Sequence, residues 1–227
     1  MSGMHDGHRD RVRDTFLQTG MDAMPSHNVL EMLLFYSVPR KDTNELAHEL
    51  IDRFGSIDKV FDADYEQLIN VPGVTKNTAV LLKMVPQLAR YYMVYKTHHG
   101  EELSSVEKVG KYFVPLFVGE TCEVLYVVFL DNKLQVVSCK KLASGTQDSV
   151  DLQIDRIIRE AANSKAKRVI IAHNHPDGNP NPSSEDISLT IRLKKSLQLI
   201  DKELVDHIVV GDNDFISLVE IGILSAR

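Results

Sequence analysis

The amino-acid sequence predicts an α+β fold in which a helical N-terminal domain precedes a domain of mixed strands and helices. In the first hundred residues, apolar side chains recur at helical spacing between capping and stop residues. Beyond them, short runs of β-branched and aromatic residues alternate with helical patterns. The polar stretch from His98 to Glu102 separates the two patterns and is the candidate linker, so we predict domains at residues 1–100 and 101–227.

The predicted helices of the N-terminal domain are bounded by residues that start or stop helices. Gly55 is a good C-terminal stop, Asp64 is a good N-cap, and Thr75 caps the last and longest helix. A tight turn at residues 71–74 precedes that helix. The predicted helices lie at His27–Tyr36, from Asp42 or Thr43 to Gly55, near Ile57–Phe61, after Asp64, and from Lys76 towards Tyr95.

The second domain alternates between strand and helix patterns. Glu123–Leu130 (EVLYVVFL) predicts a buried strand, and a later apolar run, Arg168–Ala172, predicts a short buried strand that ends at His173. Such alternation predicts an α/β or α+β sandwich. The other predicted elements are helices from Ser104 or Ser105 to Leu116, at Val150–Asn163 and at Ser184–Ile200, a strand at Leu134–Leu142, and a hairpin of Val205–Val210 and Phe215–Val219.

Charge and composition limit the functions that the chain can serve. The net charge is −6 and neither half is basic, whereas a protein that grips nucleic acid through its phosphates normally has a basic domain. The N-terminus lacks the apolar core of a secretory signal, and no apolar run approaches the roughly 20 residues that cross a bilayer. Cys122 and Cys139 have no metal-ligand spacing. We therefore predict a cytoplasmic protein without a membrane partner.

The most informative residues are His173, His175 and Asp186, which predict a metal site. Residues two apart on an extended segment point to the same side, so the two histidines can present their imidazoles to one ion. A loop rich in Pro and Gly then returns the chain to a helix start, where Asp186 lies in the first turn. Two imidazoles and one carboxylate suit Zn²⁺, and three protein ligands leave a fourth position open for water, as in catalytic sites.

Simpler interpretations exist for each part of this site. Ser183-x-x-Asp186 also fits a capping box, in which the two side chains close the start of a helix. Two histidines in a loop are often only polar surface residues. The combination favours a metal site, because an apolar strand delivers the histidine pair and a capped helix returns an acid beside it.

The pattern His173-x-His175-Pro176-x6-Ser183-x-x-Asp186 resembles the JAMM motif of the JAB/MPN metalloprotease superfamily. Its His-Asn-His-Pro-x-Gly form is similar to that of the bacterial RadC family, and the resemblance covers nearly the whole chain. It implies an α/β/α-type domain with a mixed sheet, a Zn²⁺ cofactor, and hydrolysis of an amide, peptide or isopeptide bond in a protein or peptide-like substrate. It also implies that Ser183 helps to stabilise the oxyanion.

The resemblance further implies a glutamate base just before the first long strand. The chain has Glu120 and Glu123 there, and we select Glu123 because it directly precedes the strand. An acid at that position can accept a proton from the metal-activated water and pass it to the leaving amine. The alternative is a solvated charge at a strand end.

Three other features of the second domain have two interpretations each. His207 either orients a metal ligand or is a hydrogen-bonded structural histidine. The stretch Ser144-Gly145-Thr146 either lines the cleft or forms a plain turn. Asp155 stands where relatives of the RadC type carry Arg, and this reversal of charge bears on the substrate class more than on the metal.

The N-terminal domain supports a second hypothesis of function. The turn Val71–Thr75 resembles a helix-hairpin-helix, whose backbone N–H groups hold a DNA phosphate, although only Gly73 of the usual two glycines is present. Lys76, Lys83 and Arg90 recur every seven residues and share one helix face, either as weak DNA contacts or as a solvated face. The chain is then a DNA-binding accessory protein of repair or recombination, with a structural or vestigial metal. A zinc-dependent hydrolase is our leading hypothesis.

Overall fold

A computed structural model describes residues 7–39, 41–97, 101–144, 150–212 and 214–224. The chain forms two compact units, residues 1–88 and 89–227. Helices make up the described part of the first unit, and the second combines helices with a sheet, which confirms the predicted α+β fold. Residues 98–100 of the candidate linker lie outside the described residues, and the domain boundary at residue 100 stays a prediction.

Helices of the first unit surround an apolar core that includes Leu30, Leu50 and Leu82, all fully buried. The first helix was not located by the sequence, because Val12 is its only buried residue and its periodicity is weak. None of the helices in the described ranges is both long and apolar enough to cross a membrane. The helices are α1 (His8–Thr19), α2 (Ser26–Leu34), α3 (Asn44–Phe54), α4 (Ile57–Asp62), α5 (Tyr65–Ile69) and α6 (Lys76–Thr97), and α6 continues into the second unit.

The second unit contains a five-stranded mixed sheet. Its elements are α7 (Val106–Phe113), a 3-10 helix (Val114–Phe117), β1 (Val124–Leu130), β2 (Val136–Ser144), α8 (Val150–Asn163), β3 (Arg168–His175), α9 (Ser184–Leu199), β4 (Glu203–Gly211) and β5 (Asp214–Ser217). The strand order is β2-β1-β3-β4-β5. The β3–β4 pair is parallel and the other pairs are antiparallel, so the sheet is mixed, as the family resemblance implies.

Helices cover both faces of this sheet. Because side chains alternate along a strand, Val169 and Ile171 of β3 pack with α8 and α9, whereas Ile170 packs on the opposite face with α7. Gly110 brings α7 close to β5, since a side chain there would overlap the ring of Phe215. The unit is therefore an α/β/α sandwich.

Several element ends differ from the prediction, and two of these differences have a clear physical cause. The helix predicted to reach Leu116 ends at Phe113 and continues as a 3-10 turn, because Pro115 has no N–H for a helical hydrogen bond. Strand β3, expected to end at His173, extends to His175, because its parallel pairing with β4 continues to Gly211. Both histidines of the predicted metal site therefore belong to a regular strand.

Candidate metal centre

The three ligands predicted from the sequence meet at the carboxyl end of β3. His173 and His175 are on that strand, and Asp186 is in the first turn of α9. His173 Nε2 lies 3.1 Å from His175 Nε2 and 3.1 Å from Asp186 Oδ1, and His175 Nε2 lies 3.4 Å from Asp186 Oδ2. The structure thus brings two imidazole nitrogens and one carboxylate to a single point.

The spacing of these atoms matches the coordination shell of Zn²⁺. Zinc binds imidazole nitrogen at about 2.1 Å, so two ligand atoms on one tetrahedral ion lie about 3.4 Å apart. The two separations that share His173 Nε2, both 3.1 Å, are close to that value, and His175 Nε2 lies 3.4 Å from the other carboxylate oxygen, Asp186 Oδ2. Within the described residues, these three side chains form a group that could hold a metal ion, and their nitrogen and oxygen donors fit zinc.

The ring of His175 is oriented so that its ligand atom is available. Its Nδ1 lies 2.8 Å from the carbonyl oxygen of Asn179. A carbonyl only accepts, so Nδ1 must donate its hydrogen there, and the neutral ring has its lone pair on Nε2. That lone pair faces His173 Nε2 and the Asp186 carboxylate, an arrangement that needs a proton or a metal ion between the three groups.

Ser183 holds the third ligand in place. Its backbone N–H and its hydroxyl both donate to Asp186 Oδ2, at 2.8 and 2.7 Å, and the Asp186 N–H donates back to Ser183 Oγ at 3.1 Å. The capping box considered from the sequence is therefore present at the start of α9. In this arrangement Ser183 orients Asp186 and leaves Oδ1 directed at His173; its role towards an oxyanion stays a prediction.

The pKa of Asp186 reflects this environment. Burial alone would raise it, but hydrogen bonding and charge from His173, with the hydrogen bonds from Ser183, outweigh burial and hold the pKa well below its usual value. The carboxylate is thus ionised at neutral pH. An ionised carboxylate is the form that binds a metal ion.

A small cleft of about 60 Å³ opens beside the ligands. Glu123, exposed just before β1, lines this cleft together with His173 and Asp186. Glu120, the other candidate base, instead accepts from Lys141 Nζ at 2.8 Å and pairs with Arg90. The geometry therefore favours Glu123 as the carboxylate beside the metal site. The full lining is Glu123, Val124, Leu125, Gln153, His173, Asp186, Leu189 and His207.

Asn174, between the two histidines, points to the opposite side of β3 and holds the segment that contains Glu123. Its Oδ1 accepts from the backbone N–H of Val124 at 2.8 Å, and its Nδ2 donates to the carbonyl of Cys122 at 3.1 Å. The amide thus binds both neighbours of Glu123. Local sequence does not indicate this role, because the partners of Asn174 lie about fifty residues earlier.

The loop that connects β3 to α9 packs against the turn between β4 and β5. A side chain at Gly211 would overlap the carbonyl group of Gly178, and Gly178 itself has a φ of +83°. The two glycines therefore let the two backbones approach closely. This contact fixes the loop that carries Asn179 and hence the partner of His175.

The remaining sequence-predicted positions of this unit lie around the site or beyond it. Asp155 is exposed and accepts from Arg159 Nε at 2.9 Å, and Gln153 is the α8 residue that lines the cleft. Gly145 and Thr146 lie outside the described residues. His207, for which the sequence left open a ligand-orienting or a structural role, places Nε2 2.8 Å from His173 Nδ1. The available indication of a ligand-orienting role was that His207 is a polar residue at the start of an apolar strand.

Two of the three proposed DNA-contacting side chains make contacts within the chain. Lys83 Nζ donates to the carbonyls of residues 61, 62 and 63 at 3.2, 3.3 and 2.9 Å and so caps the end of α4. Arg90 pairs with Glu120, whereas Lys76 is exposed. The predicted hairpin turn joins α5 to α6.

A groove of about 520 Å³ beside that turn is acidic on balance. Its lining includes Gly73 of the turn, one lysine, Lys41, and three carboxylates, those of Asp42, Glu45 and Glu49. A phosphate group held at the turn would therefore meet carboxylates of the same sign. This arrangement weakens the electrostatic case for DNA at this position.

The fold and the histidine–aspartate group are those of a JAB domain. The family model described as "RadC-like JAB domain" matches residues 103–223. The chain belongs to this family, as its sequence motifs implied.

Relatives of similar length match almost the whole chain. UPF0758 protein FN0909 of Fusobacterium nucleatum is 32% identical over 229 residues, which cover 97% of this chain and 98% of the relative. A UPF0758 protein of Xanthomonas oryzae pv. oryzae is 34% identical, and UPF0758 protein XAC3915 of Xanthomonas axonopodis pv. citri is 33% identical. Each of these two matches covers 94% of this chain and 95% of the relative. The similarity therefore includes the helical N-terminal region.

Proposed function

We propose that the protein is a zinc-dependent hydrolase that cleaves an amide, peptide or isopeptide bond in a protein or peptide-like substrate. The observation that supports this proposal is the convergence of His173, His175 and Asp186, with Glu123 lining the same cleft as His173 and Asp186. The JAB superfamily includes metallohydrolases, which agrees with this assignment. The cytoplasmic location predicted from the sequence is part of this proposal.

The residues of the proposed site have three roles in the reaction. His173, His175 and Asp186 would hold Zn²⁺, which supplies Lewis acidity and lowers the pKa of water from about 15.7 towards about 7. Glu123 accepts the proton of the attacking water and delivers it to the leaving amine. The hydroxyl of Ser183, on turning away from Asp186, donates to the oxyanion that forms on the substrate carbonyl.

The contacts of the first unit favour this function over a DNA-binding accessory role. Lys83 and Arg90 are engaged within the chain, and the groove beside Gly73 is acidic. Any contact with DNA through Lys76 is expected to be weak. Fluorescence anisotropy with labelled duplex DNA at two salt concentrations tests this alternative: an affinity that falls steeply with salt would favour it, and no binding even at low salt would exclude it.

Zinc content and hydrolysis, measured on matched variants, test the proposed function. We expect about one zinc per chain in the wild type and in Glu123→Gln, and loss of zinc in His173→Ala and Asp186→Ala. Activity is measured on peptide and isopeptide libraries. Removal of a general base should reduce kcat by about 10² to 10⁴ in Glu123→Gln, with Glu120→Gln as the control that spares the cleft.

Two results would contradict the proposal. The first is zinc that stays stoichiometric in both His173→Ala and Asp186→Ala, because the ion would then bind elsewhere. The second is a Glu123→Gln protein that hydrolyses the same library members as fast as the wild type. If the two ligand variants lose zinc but the wild type hydrolyses no member of the libraries, the metal site has a structural role.

A further inference from the structure

A chain of buried hydrogen bonds connects α9 to the metal ligand His173. Thr190 Oγ1 donates to the backbone carbonyl of Asp186, one turn earlier in α9, at 2.6 Å. The same hydroxyl oxygen lies 2.6 Å from His207 Nδ1, and His207 Nε2 lies 2.8 Å from His173 Nδ1. The chain therefore starts at the backbone of one ligand, Asp186, and ends at the ring of another.

The direction of every hydrogen in this chain follows from its first acceptor. The Asp186 carbonyl can only accept, so the single hydroxyl hydrogen of Thr190 is used there, and Thr190 Oγ1 must accept from His207 Nδ1–H. A neutral His207 then has its lone pair on Nε2, which must accept from His173 Nδ1–H. The Nε2 atom of His173 is left to face His175 and Asp186.

Burial keeps this direction from reversing. Thr190 is fully buried and His207 is 1% exposed, so the pair has almost no surface open to water that could serve as an alternative donor or acceptor. Charging a ring buried this deeply would cost free energy, so burial favours the neutral ring. The neutral state is the one that the hydrogen-bond directions require.

The surroundings of the pair argue against a role in stability alone. His207 lies beside Ile171 in the β3–β4 register, on the sheet face whose core also contains Val209 and Leu189. Buried polar groups in such a core cost free energy unless they are fully hydrogen-bonded, and apolar residues would fill the same space without that requirement. What the polar pair adds is a defined hydrogen on the ring of His173.

We propose that Thr190 and His207 are positioning residues that fix His173 with its hydrogen on Nδ1, so that Nε2 carries the lone pair for the metal ion. This inference rests on the zinc site of the proposed function. It extends that site by assigning the residues that select the ligand atom. Partners that orient metal-ligating histidines typically contribute 10- to 100-fold to metal affinity.

The first test is the tautomer of His207 itself, measured by long-range ¹H–¹⁵N correlation spectra of the metal-free, full-length protein. We expect hydrogen on Nδ1 and a bare Nε2 in the wild type and in Thr190→Ser, which keeps the hydroxyl. In Thr190→Val the acceptor is lost, and the two tautomers of His207 should become mixed. A wild-type His207 with hydrogen on Nε2 would overturn the proposal.

The second test is zinc affinity, measured by competition with a chromophoric chelator. Thr190→Val and His207→Leu should bind zinc about 10- to 100-fold more weakly than the wild type, whereas Thr190→Ser should bind normally. In His207→Gln, the side-chain oxygen can accept from His173 and the amide can donate to Thr190, so affinity should be partly restored. Equal affinities for His207→Leu and His207→Gln, both correctly folded by circular dichroism, would overturn the proposal.

The two tests separate this inference from the proposed hydrolysis. The spectra need neither zinc nor substrate, so they report on the hydrogen-bond chain even if the protein hydrolyses nothing. A protein with the expected tautomer and zinc affinities but no hydrolysis would retain the inference and lose the catalytic proposal. Hydrolysis that depends on Glu123, combined with the opposite tautomer at His207, would do the reverse.

Discussion

Asp186 depends on the residue three positions before it for its orientation. Ser183 donates twice to Asp186 Oδ2 and accepts once from the Asp186 N–H, so one serine both caps α9 and holds a metal ligand. Removing the hydroxyl therefore affects stability and metal binding together. A loss that appeared in only one of these properties would indicate that the two roles are separable.

We expect Ser183→Ala to lower the free energy of unfolding by about 1 kcal/mol, the usual contribution of an N-cap side chain. Zinc affinity should fall about tenfold, because Asp186 loses a hydrogen bond that orients it. Chemical denaturation of the metal-free protein and chelator competition measure the two effects. Ser183→Thr keeps the hydroxyl and should retain both properties, so an equal loss in Ser183→Thr would contradict this account.

Among individual residues, the sequence predicts those whose spacing along the chain groups them into a recognisable site. His173, His175 and Asp186 lie within one strand, loop and helix start, so local periodicity was enough to group them. The partner of His173 is 34 residues away on β4, and contact between them depends on parallel strand pairing. No local pattern encodes that pairing. The sequence therefore left the role of His207 open and did not single out Asn174 or Thr190.

Among the secondary-structure elements, the connection between β3 and the segment before β1 has the clearest consequence. Asn174 binds the backbone on both sides of Glu123. Replacement by Leu, of similar size, should lower the free energy of unfolding by about 2 kcal/mol, since each buried hydrogen bond contributes about 1 kcal/mol. Amide exchange at Val124 should become faster, because its acceptor is gone.

Hydrogen–deuterium exchange followed by mass spectrometry measures this effect. Asn174→Asp is the informative control, because a carboxylate still accepts from Val124 but cannot donate to Cys122. We expect slow exchange at Val124 in Asn174→Asp and fast exchange in Asn174→Leu. Unchanged exchange in Asn174→Leu would show that Asn174 does not hold the segment, and Glu123 would then need another means of positioning.

The packing of α7 on β2 makes a prediction about thiol chemistry. Burial raises the pKa of the Cys139 thiol to about 11, an effect that a hydrogen bond with Tyr112 only partly offsets. Because the thiolate is the reactive form, alkylation of Cys139 at pH 8 should be about 100-fold slower than in the unfolded chain and should accelerate as the pH approaches 11. Peptide mass spectrometry after iodoacetamide treatment measures this. Equal rates with and without denaturant would contradict the burial.

Element ends were harder to predict than elements. The sequence located β1 by its run of β-branched and aromatic residues, α8 by its strong helical period and α9 by the capping pattern at its start, but it ended β3 two residues early. The last two residues of β3 are polar, and they stay in the strand only because β4 continues beside them. Helix α1 was missed because its weak periodicity gives little evidence of a buried face.

For the whole molecule, the second unit contains every residue of the metal site and both apolar layers of the sheet. We therefore expect residues 89–227 to fold alone and to bind zinc as tightly as the full chain. A fragment of residues 101–227, cut at the boundary that the sequence predicts, loses Arg90, the partner of Glu120, and Val94, which packs on the α7 layer.

The shorter fragment should be less stable by about 2 kcal/mol, because it exposes apolar surface and leaves Glu120 without one of its cations. Urea denaturation of the two metal-free fragments measures the difference. Equal stabilities would place the natural boundary at residue 100, and failure of residues 89–227 to bind zinc would show that the site needs the first unit.

The close approach of Gly178 and Gly211 also limits how the sequence can diverge. Neither residue has a side chain to offer a metal or a substrate, yet even one added methyl group at Gly211 would overlap the loop that carries the partner of His175. In a library of all single substitutions, these two positions should tolerate change as poorly as the ligands do. The positions that such a scan finds intolerant would then extend beyond the residues that bind metal or react. At the two glycines, close backbone packing and not reactivity would limit substitution.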